Sequence, residues 1–378
     1  VRVLYMSNYI PFHIHTTNSL MDGIVKSDKL AKRVKDLGFS SCMISDHGNI
    51  SGSIKFHSEM KKLKIKPIIA NEMYISRLDS SIKDDSNRKL DHLVVCAKNK
   101  KGFQKLMQVT SLSNHPDNFY YKPRLNLEKL AQQLDKQFFV FTGHPGSVLY
   151  QFINDYDKAK ECLQNLKDLF GSENVILEAQ LFNFTKEEDR EINLAEVNFL
   201  RGLAKETNTR IVACQDVHYI NKKDAILQQI ILSSNLGKSL EQIRGMKEKP
   251  MAGFFDNDCF YLHSPQEMQD LGYTSDELDM SFIDEQCELY EIQNQPILPK
   301  FCNNEPELML QLCREGWKNK CLPSWDKQLY SDRVKIELEV FNKWNLNGYI
   351  LIVQDFINWA KNKGMFIGYA RGSSLGSL

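Results

Sequence analysis

The segment "PFHIHTTNSLMDG", Pro11 to Gly23, sets His13 and His15 one residue apart in an apolar run and follows them with Asp22 in a Gly-flanked turn. A second pair at the same spacing, Asp216 and His218, stands in "QDVHYI". Between them come "SDHGN" with Asp46 and His47, "NEMY" with Glu72, "HLVVCA" opening on His92, and "TGHPG" with His144. Imidazoles mixed with carboxylates, and no thiolate, form a donor set for zinc, manganese or iron in a hydrolytic site. Each feature alone is weak. A single buried His is more often a hydrogen-bonded core residue, and Asp and Gly populate any turn. The conjunction carries more weight: six of the nine histidines and three carboxylates recur at the ends of apolar runs. Burying that many ionisable groups without a cation is costly. The other histidines, His57, His115 and His263, read as surface or capping residues.

Seven apolar runs must position these side chains: Phe12 to Thr16, Ser41 to Ser45, Lys66 to Ala70, His92 to Ala97, Phe138 to Gly143, Asn174 to Ala179 and Arg210 to Asp216. They are rich in Ile, Val and Phe and mostly apolar throughout, the pattern of a parallel sheet buried on both faces. Helical patterns separate them. In "SDKLAKRVKDLG", Leu30, Val34 and Leu37 share a face, Ser27 is the expected cap and Gly38 the expected stop. Strand and helix in such alternation imply a doubly wound sheet or a closed α/β barrel. In a barrel, the carboxyl ends of the strands converge on one mouth. Period-two geometry sends His13 and His15 to the same face. His92 is the awkward member, because it begins its strand.

The 378 residues exceed one average domain. A 42% hydrophobic and 25% charged composition is that of a soluble globular protein, and no apolar run reaches the length of a membrane span. Lys+Arg and Asp+Glu both number 48, so net charge lends no support to nucleic-acid binding, although a neutral chain can carry a local basic groove. Nine cysteines without a C-x-x-C pair suit a reducing, cytoplasmic compartment. After about residue 220 the rhythm changes. "NQPILPKF" reads as an extended linker, which places a boundary between a first domain, 1–290, and a second, 291–378. The second is mostly helical and ends on a short strand and a Gly/Ser-rich turn, "IGYARGSSLGSL".

The motifs "FHIHTTNSLMDG", "SDHGNISGSIKFH", "KPIIANEMYI", "HLVVCAKNKKGFQKLMQVTSL", "FYYKPRLN" and "QDVHYI" resemble the polymerase and histidinol phosphatase (PHP) domain, in the form found at the N-terminus of bacterial DNA polymerase III alpha subunits, the C-family replicative polymerases. "ILPKF", "LCREGW" and "GYILIVQDFINWAKNKG" with "RGSSLGSL" are similar to the start of that family's palm. The resemblance is collinear and covers essentially the whole chain. It implies a distorted seven-stranded (β/α)7 barrel followed by an incomplete α+β palm segment.

Carried over position by position, the family's site implies nine ligands around up to three divalent metals (Zn, Mn or Fe): His13, His15, Asp22, His47, Glu72, His92, His144, Asp216 and His218. His13, His15, Glu72 and Asp216 would hold one metal and form the catalytic core. Glu72 would be shared with His92 and His144 at a second, and Asp22, His47 and His218 would hold a third. Polymerase-attached domains usually have Cys at the position of His144; His keeps a ligand and hardens it. An intact site implies phosphodiester hydrolysis by in-line attack of an activated water, in the family a 3′–5′ exonuclease that trims mispaired primer ends. Asp46 reads either as a support for His47 or as a turn cap.

Arg371, Gly372 and Ser373 are similar to the nucleotide-triphosphate loop of the palm, although Tyr369 and Ala370 stand where the family usually has Pro-Gly. The family's catalytic aspartates, with their Mg, lie beyond this loop, and the chain as given is expected to lack them. The implied partners are a DNA primer-template, the remaining polymerase part, and the sliding clamp and other replisome subunits; no membrane is implied. "YYKPR" reads either as a basic-aromatic contact to DNA or the polymerase body, or as an ordinary loop. Two other readings compete: a phosphoesterase acting on a small phosphate monoester, and a metal-stabilised structural module of a split polymerase.

Overall fold

Eight strands follow one another in the chain: β1 (Ser41–His47), β2 (Lys66–Ser76), β3 (Leu90–Ala97), β4 (Phe119–Tyr120), β5 (Lys122–Pro123), β6 (Phe138–Thr142), β7 (Val175–Gln180) and β8 (Arg210–Cys214). They belong to a computed structural model that describes residues 8–292, 297–368 and 377–378. Six strands form one curled sheet in the order β1-β2-β3-β6-β7-β8, and β4 with β5 makes a separate hairpin. β1 is parallel to β2, and β6, β7 and β8 are mutually parallel; β3 runs antiparallel to both of its neighbours. The all-parallel expectation therefore fails at β3.

The first apolar run does not form a ladder strand. His13 adopts φ 57°, a left-handed conformation that breaks the extended repeat. The run is instead tied in on both sides. Met43 N donates to Pro11 O (3.0 Å) and Ser45 N to Ile14 O (3.0 Å), while His15 N donates to Val217 O (2.8 Å) and Val217 N to His13 O (2.9 Å). It thus bridges β1 and the segment just after β8, the two edges of the sheet. Six strands and one strained bridge replace the expected seven.

The helices α1 (Ser27–Asp36), α2 (Ser53–Lys62), α3 (Lys100–Asn114), α4 (Leu127–Gln133), α5 (Tyr156–Phe170) and α6 (Glu187–Thr207) cover the sheet. α1 buries Leu30 and Val34, and Gly38 at φ 81° ends it. Ser27 is its first helical residue rather than its cap: Lys26 holds the cap position and no side chain caps the helix. Between sheet and helices lies a core in which Phe12, Phe138, Phe139 and Phe141 are fully buried. Each such side chain contributes about 1.5–3 kcal/mol relative to exposure. All nine cysteines are free thiols.

The chain divides into two compact units, 1–293 and 294–378. The second contains the helices Glu305–Lys320, Lys327–Lys343 and Asn347–Asn362. Residues 367 and 368, where the expected short strand would begin, form no strand, and residues 369–376 lie outside the described residues. Arg371, Gly372 and Ser373 lie outside the described residues. No helix among the described residues is long and apolar enough to cross a membrane.

Candidate metal centre

Glu72 is the hub of the site. It sits on β2 in register with His47 at the end of β1, and Tyr74, two residues on, is in register with His92 on β3. Both Glu72 and His92 face the mouth because β3 is reversed: the amino end of an antiparallel strand meets the carboxyl ends of its neighbours. That resolves the awkward position of His92, whose strand also begins earlier, at Leu90. His144 comes from the loop after β6, and Asp216 and His218 from the segment after β8. Asp22 is presented by the loop that closes on Gly23, where any Cβ would lie 2.3 Å from His15 O, so only glycine fits this close approach.

The nine carried-over positions come together. Around Glu72 lie His13 Nε2 (3.5 Å), His15 Nε2 (3.4 Å), His47 Nδ1 (2.8 Å), His92 Nδ1 (3.1 Å) and His144 Nε2 (3.3 Å). His15 Nε2 is also 3.4 Å from Asp216, whose Oδ1 lies 3.2 Å from His218 Nδ1. Asp22 is 3.1 Å from His218 Nε2 and 3.6 Å from His47 Nε2. Three-donor groups capable of holding an ion include His13, His15 and Asp216; Glu72, His92 and His144; and His15, Asp22 and His218. His47 falls in a group with His15 and Glu72 rather than in one with Asp22 and His218.

These donors fit cations. His47 Nδ1, Glu72 Oε2, His144 Nε2 and Asp216 Oδ1 are buried yet make no hydrogen bond, although their neighbours are 2.8–3.4 Å away. Orphaned buried donors and acceptors are costly, and an ion between them removes the cost. The electrostatics follow from the crowding. Burial, with His47 and His218 beside it, pushes His15 down to about 4. Burial alone would lower His218, but Asp216 and Asp22 raise it to about 9. Burial would raise Glu72, yet His47, His92 and His13 hold it well below the usual carboxylate range. Carboxylates kept ionised among imidazoles would hold divalent cations, which would supply Lewis acidity toward a phosphate oxygen and lower the pKa of water.

Sequence reasoning missed Glu178. It lies on β7, fully buried, with Oε2 2.8 Å from His13 Nδ1 and 3.4 Å from His144 Nδ1. Its Oε2 also accepts from Cys214 Sγ at 3.2 Å. The signal was present: a carboxylate in the otherwise apolar run "NVILEA" needs a partner. Asp46 is buried and accepts from Thr16 N (2.7 Å), Thr16 Oγ1 (2.8 Å) and Ser19 Oγ (3.0 Å). Ser19 Oγ in turn lies 3.0 Å from His15 Nδ1 and accepts from His47 N (3.1 Å). Asp46 therefore ties down the loop behind two of the imidazoles instead of merely capping its own turn. Of the three histidines read as surface or capping residues, His115 is exposed, whereas His57 and His263 are buried, His57 bonding Tyr290 O (2.7 Å) and His263 bonding Tyr261 O (2.9 Å).

In "YYKPR", Arg124 is fully buried and holds the carbonyls of Asn87 and Tyr120, so this residue is structural. It anchors the β4–β5 hairpin, and Lys122 at its end lines the mouth.

Comparison with known proteins adds two family matches. Residues 11–181 match the PHP domain, and residues 307–378 match the bacterial DNA polymerase III alpha NTPase domain. The chain is 32% identical over 396 residues to the DNA polymerase III subunit alpha of Aquifex aeolicus, covering 98% of this chain and 33% of that protein. It is 31% identical over 386 residues to that of Borreliella burgdorferi, covering 99% of this chain and 32% of the relative. The chain thus spans about a third of the length of these curated relatives. Among solved structures, an amidohydrolase from Chromobacterium violaceum is similar at a TM-score of 0.37 and 11% identity, covering 56% of this chain and 87% of that one.

Proposed function

We propose that this chain, which belongs to the bacterial DNA polymerase III alpha family and carries that family's PHP domain, hydrolyses DNA phosphodiesters as a metal-dependent 3′–5′ proofreading exonuclease. The observation that carries the reading is the convergence of His13, His15, Asp22, His47, His92, His144, Asp216 and His218 about the buried Glu72. We assign residues 1–290 to the phosphoesterase and 291–378 to the beginning of the polymerase palm.

Zn, Mn or Fe bound there would supply Lewis acidity toward a phosphoryl oxygen and lower the pKa of water. His13, His15, Glu72 and Asp216 are the residues that would hold it nearest the reaction. The chain's own contribution is positional. Glu178 accepts from His13 Nδ1, so His13 presents Nε2 to the site. Ser19 fixes the His15 ring in the same way. Asp216 and Asp22 flank His218, at 3.2 Å from its Nδ1 and 3.1 Å from its Nε2, and hold the ring between them. In this reading the substrate is a primer-template, the partners are the rest of the polymerase, the sliding clamp and other replisome subunits, and the setting is the cytoplasm.

The test is to incubate the purified chain with a 3′-mispaired primer and Mn²⁺ or Zn²⁺. The reading expects trimming of the mispaired end, lost in the His13→Ala, Asp216→Ala double variant. Absence of trimming, together with a lower melting temperature on chelation, leaves only a structural module. Activity that survives in the double variant refutes the assigned site, and cleavage confined to small phosphate monoesters supports the monoesterase instead.

A further inference from the structure

The mouth above the cluster is a cavity of about 480 Å³. One wall carries the half-buried side chains of Asp22 and His47; the rim carries Leu20, Met21 and Met251, and one cation, Lys122. Leu20 is 80% exposed, and Met21 and Met251 are each 43% exposed. These are long apolar side chains held out in water at the entrance of a polar site, the opposite of what burial favours. Lys122 is the only Lys or Arg lining this cavity among the described residues.

Lys122 is held there by the fold. Arg124 and Leu125, just after it, are fixed: Arg124 is buried, and Leu125 exchanges backbone bonds with β2, its N donating to Tyr74 O (3.2 Å) and its O accepting from Ser76 N (2.9 Å). Lys122 Nζ consequently stands 5.4 Å from the centroid of the Tyr74 ring. That ring stacks on His47 at 5.5 Å and meets His92 edge-on at 5.1 Å. Cation, aromatic ring and ligand imidazoles form successive layers from the rim to the cluster, and Lys122 has no carboxylate partner among the described residues.

We propose that this mouth is a subsite for one unpaired nucleotide next to the scissile bond: Lys122 binds its phosphate, and Leu20, Met21 and Met251 receive its base. The inference rests on the phosphodiesterase reading and narrows its substrate to single-stranded or frayed DNA ends. A cavity of this size is of the class that takes small ligands, and an unstacked nucleotide enters it whereas stacked, paired bases do not. A lone ammonium at the entrance suits a phosphate, and apolar side chains tolerate any base, which a sequence-independent trimming enzyme requires.

The experiment compares the whole chain with its Lys122→Met, Lys122→Arg and Leu20→Ser, Met21→Ser variants. Hydrolysis is followed with Mn²⁺ on a single-stranded oligothymidine and on a blunt duplex; binding is followed with Ca²⁺ by fluorescence anisotropy as salt is varied. Lys122→Met is expected to raise KM for the single strand about tenfold, the loss of one charge-assisted contact, with kcat changed much less. It should also flatten the slope of log Kd against log salt by about 0.7, while leaving metal content unchanged. Lys122→Arg should restore binding, and the double serine variant should lower the preference for single strand over duplex. An unchanged KM and salt slope in Lys122→Met, or a wild-type preference for the blunt duplex, overturns the subsite while the nuclease reading stands. A wild-type chain that cleaves p-nitrophenyl phosphate but no DNA overturns both.

Discussion

Replacing Glu178 by Gln tests whether a buried carboxylate outside the ligand set organises the centre. The substitution keeps the shape of the side chain and removes its charge. In the native protein one oxygen, Oε2, accepts from His13 Nδ1 at 2.8 Å and lies 3.4 Å from His144 Nδ1. Burial alone would raise this carboxyl, but His13 and His144 hold it below the ordinary value, so it is ionised and its bond to His13 is charge-assisted. Such a bond is worth about 1.5–3 kcal/mol. Outer partners of metal-bound histidines typically contribute 10- to 100-fold in affinity, or about 1.4–2.7 kcal/mol. The two estimates agree, so Glu178→Gln should weaken Mn²⁺ or Zn²⁺ binding by about 10- to 100-fold. Isothermal titration on the metal-stripped protein reads this directly, and the far-ultraviolet circular dichroism should be unchanged. Metal affinity within twofold of wild type, in a variant that folds normally, would refute the reasoning and reduce Glu178 to a buried structural acid.

Two further perturbations probe the scaffold. Gly48 has φ +63°, and a Cβ there would lie 2.7 Å from Pro123 Cγ and 3.1 Å from the Tyr74 ring. Gly48→Ala should therefore cost about 2–4 kcal/mol in urea unfolding, through left-handed strain plus displacement of the hairpin that carries Lys122; a loss below 1 kcal/mol would show that the hairpin yields freely. Glu277 is paired with Arg201 through two bonds, 2.6 and 2.8 Å, and is buried. Burial would raise its carboxyl, but Arg201 and the capping bond from Thr274 hold it below its ordinary 4.5. A depressed folded pKa stabilises fully above the unfolded value and is lost as pH falls through the folded one. Glu277→Gln should therefore cost about 3 kcal/mol near neutral pH, with the difference from wild type shrinking below pH 4.5. A difference independent of pH would exclude the ion pair as its source.

Much of the centre is legible in residue type and spacing. His13 and His15, Asp216 and His218, Glu72 and His47 stand out because ionisable groups at the ends of apolar runs need a reason to be there. The run "NVILEA" held the same kind of signal in Glu178, but a lone acid inside a strand names no partner until the strand has neighbours. Asp46 was open between two roles for the same reason: its partners Thr16 and Ser19 belong to another segment.

Local pattern determined where apolar runs and helices lie, because periodicity is set by the residues themselves. It did not determine strand direction or backbone strain, which depend on contacts far apart in the chain. His92 enters the site because β3 runs against its neighbours, and that choice is made by pairing with β2 and β6. His13 was expected on a regular strand; it takes a left-handed conformation because its segment must bond to β1 on one side and to Val217 on the other. Lys122 is a basic residue in a loop motif until Arg124 and Leu125 fasten the hairpin beside β2 and set its ammonium above Tyr74. Chemistry was written in the residues, and convergence came only from long-range hydrogen bonds and burial.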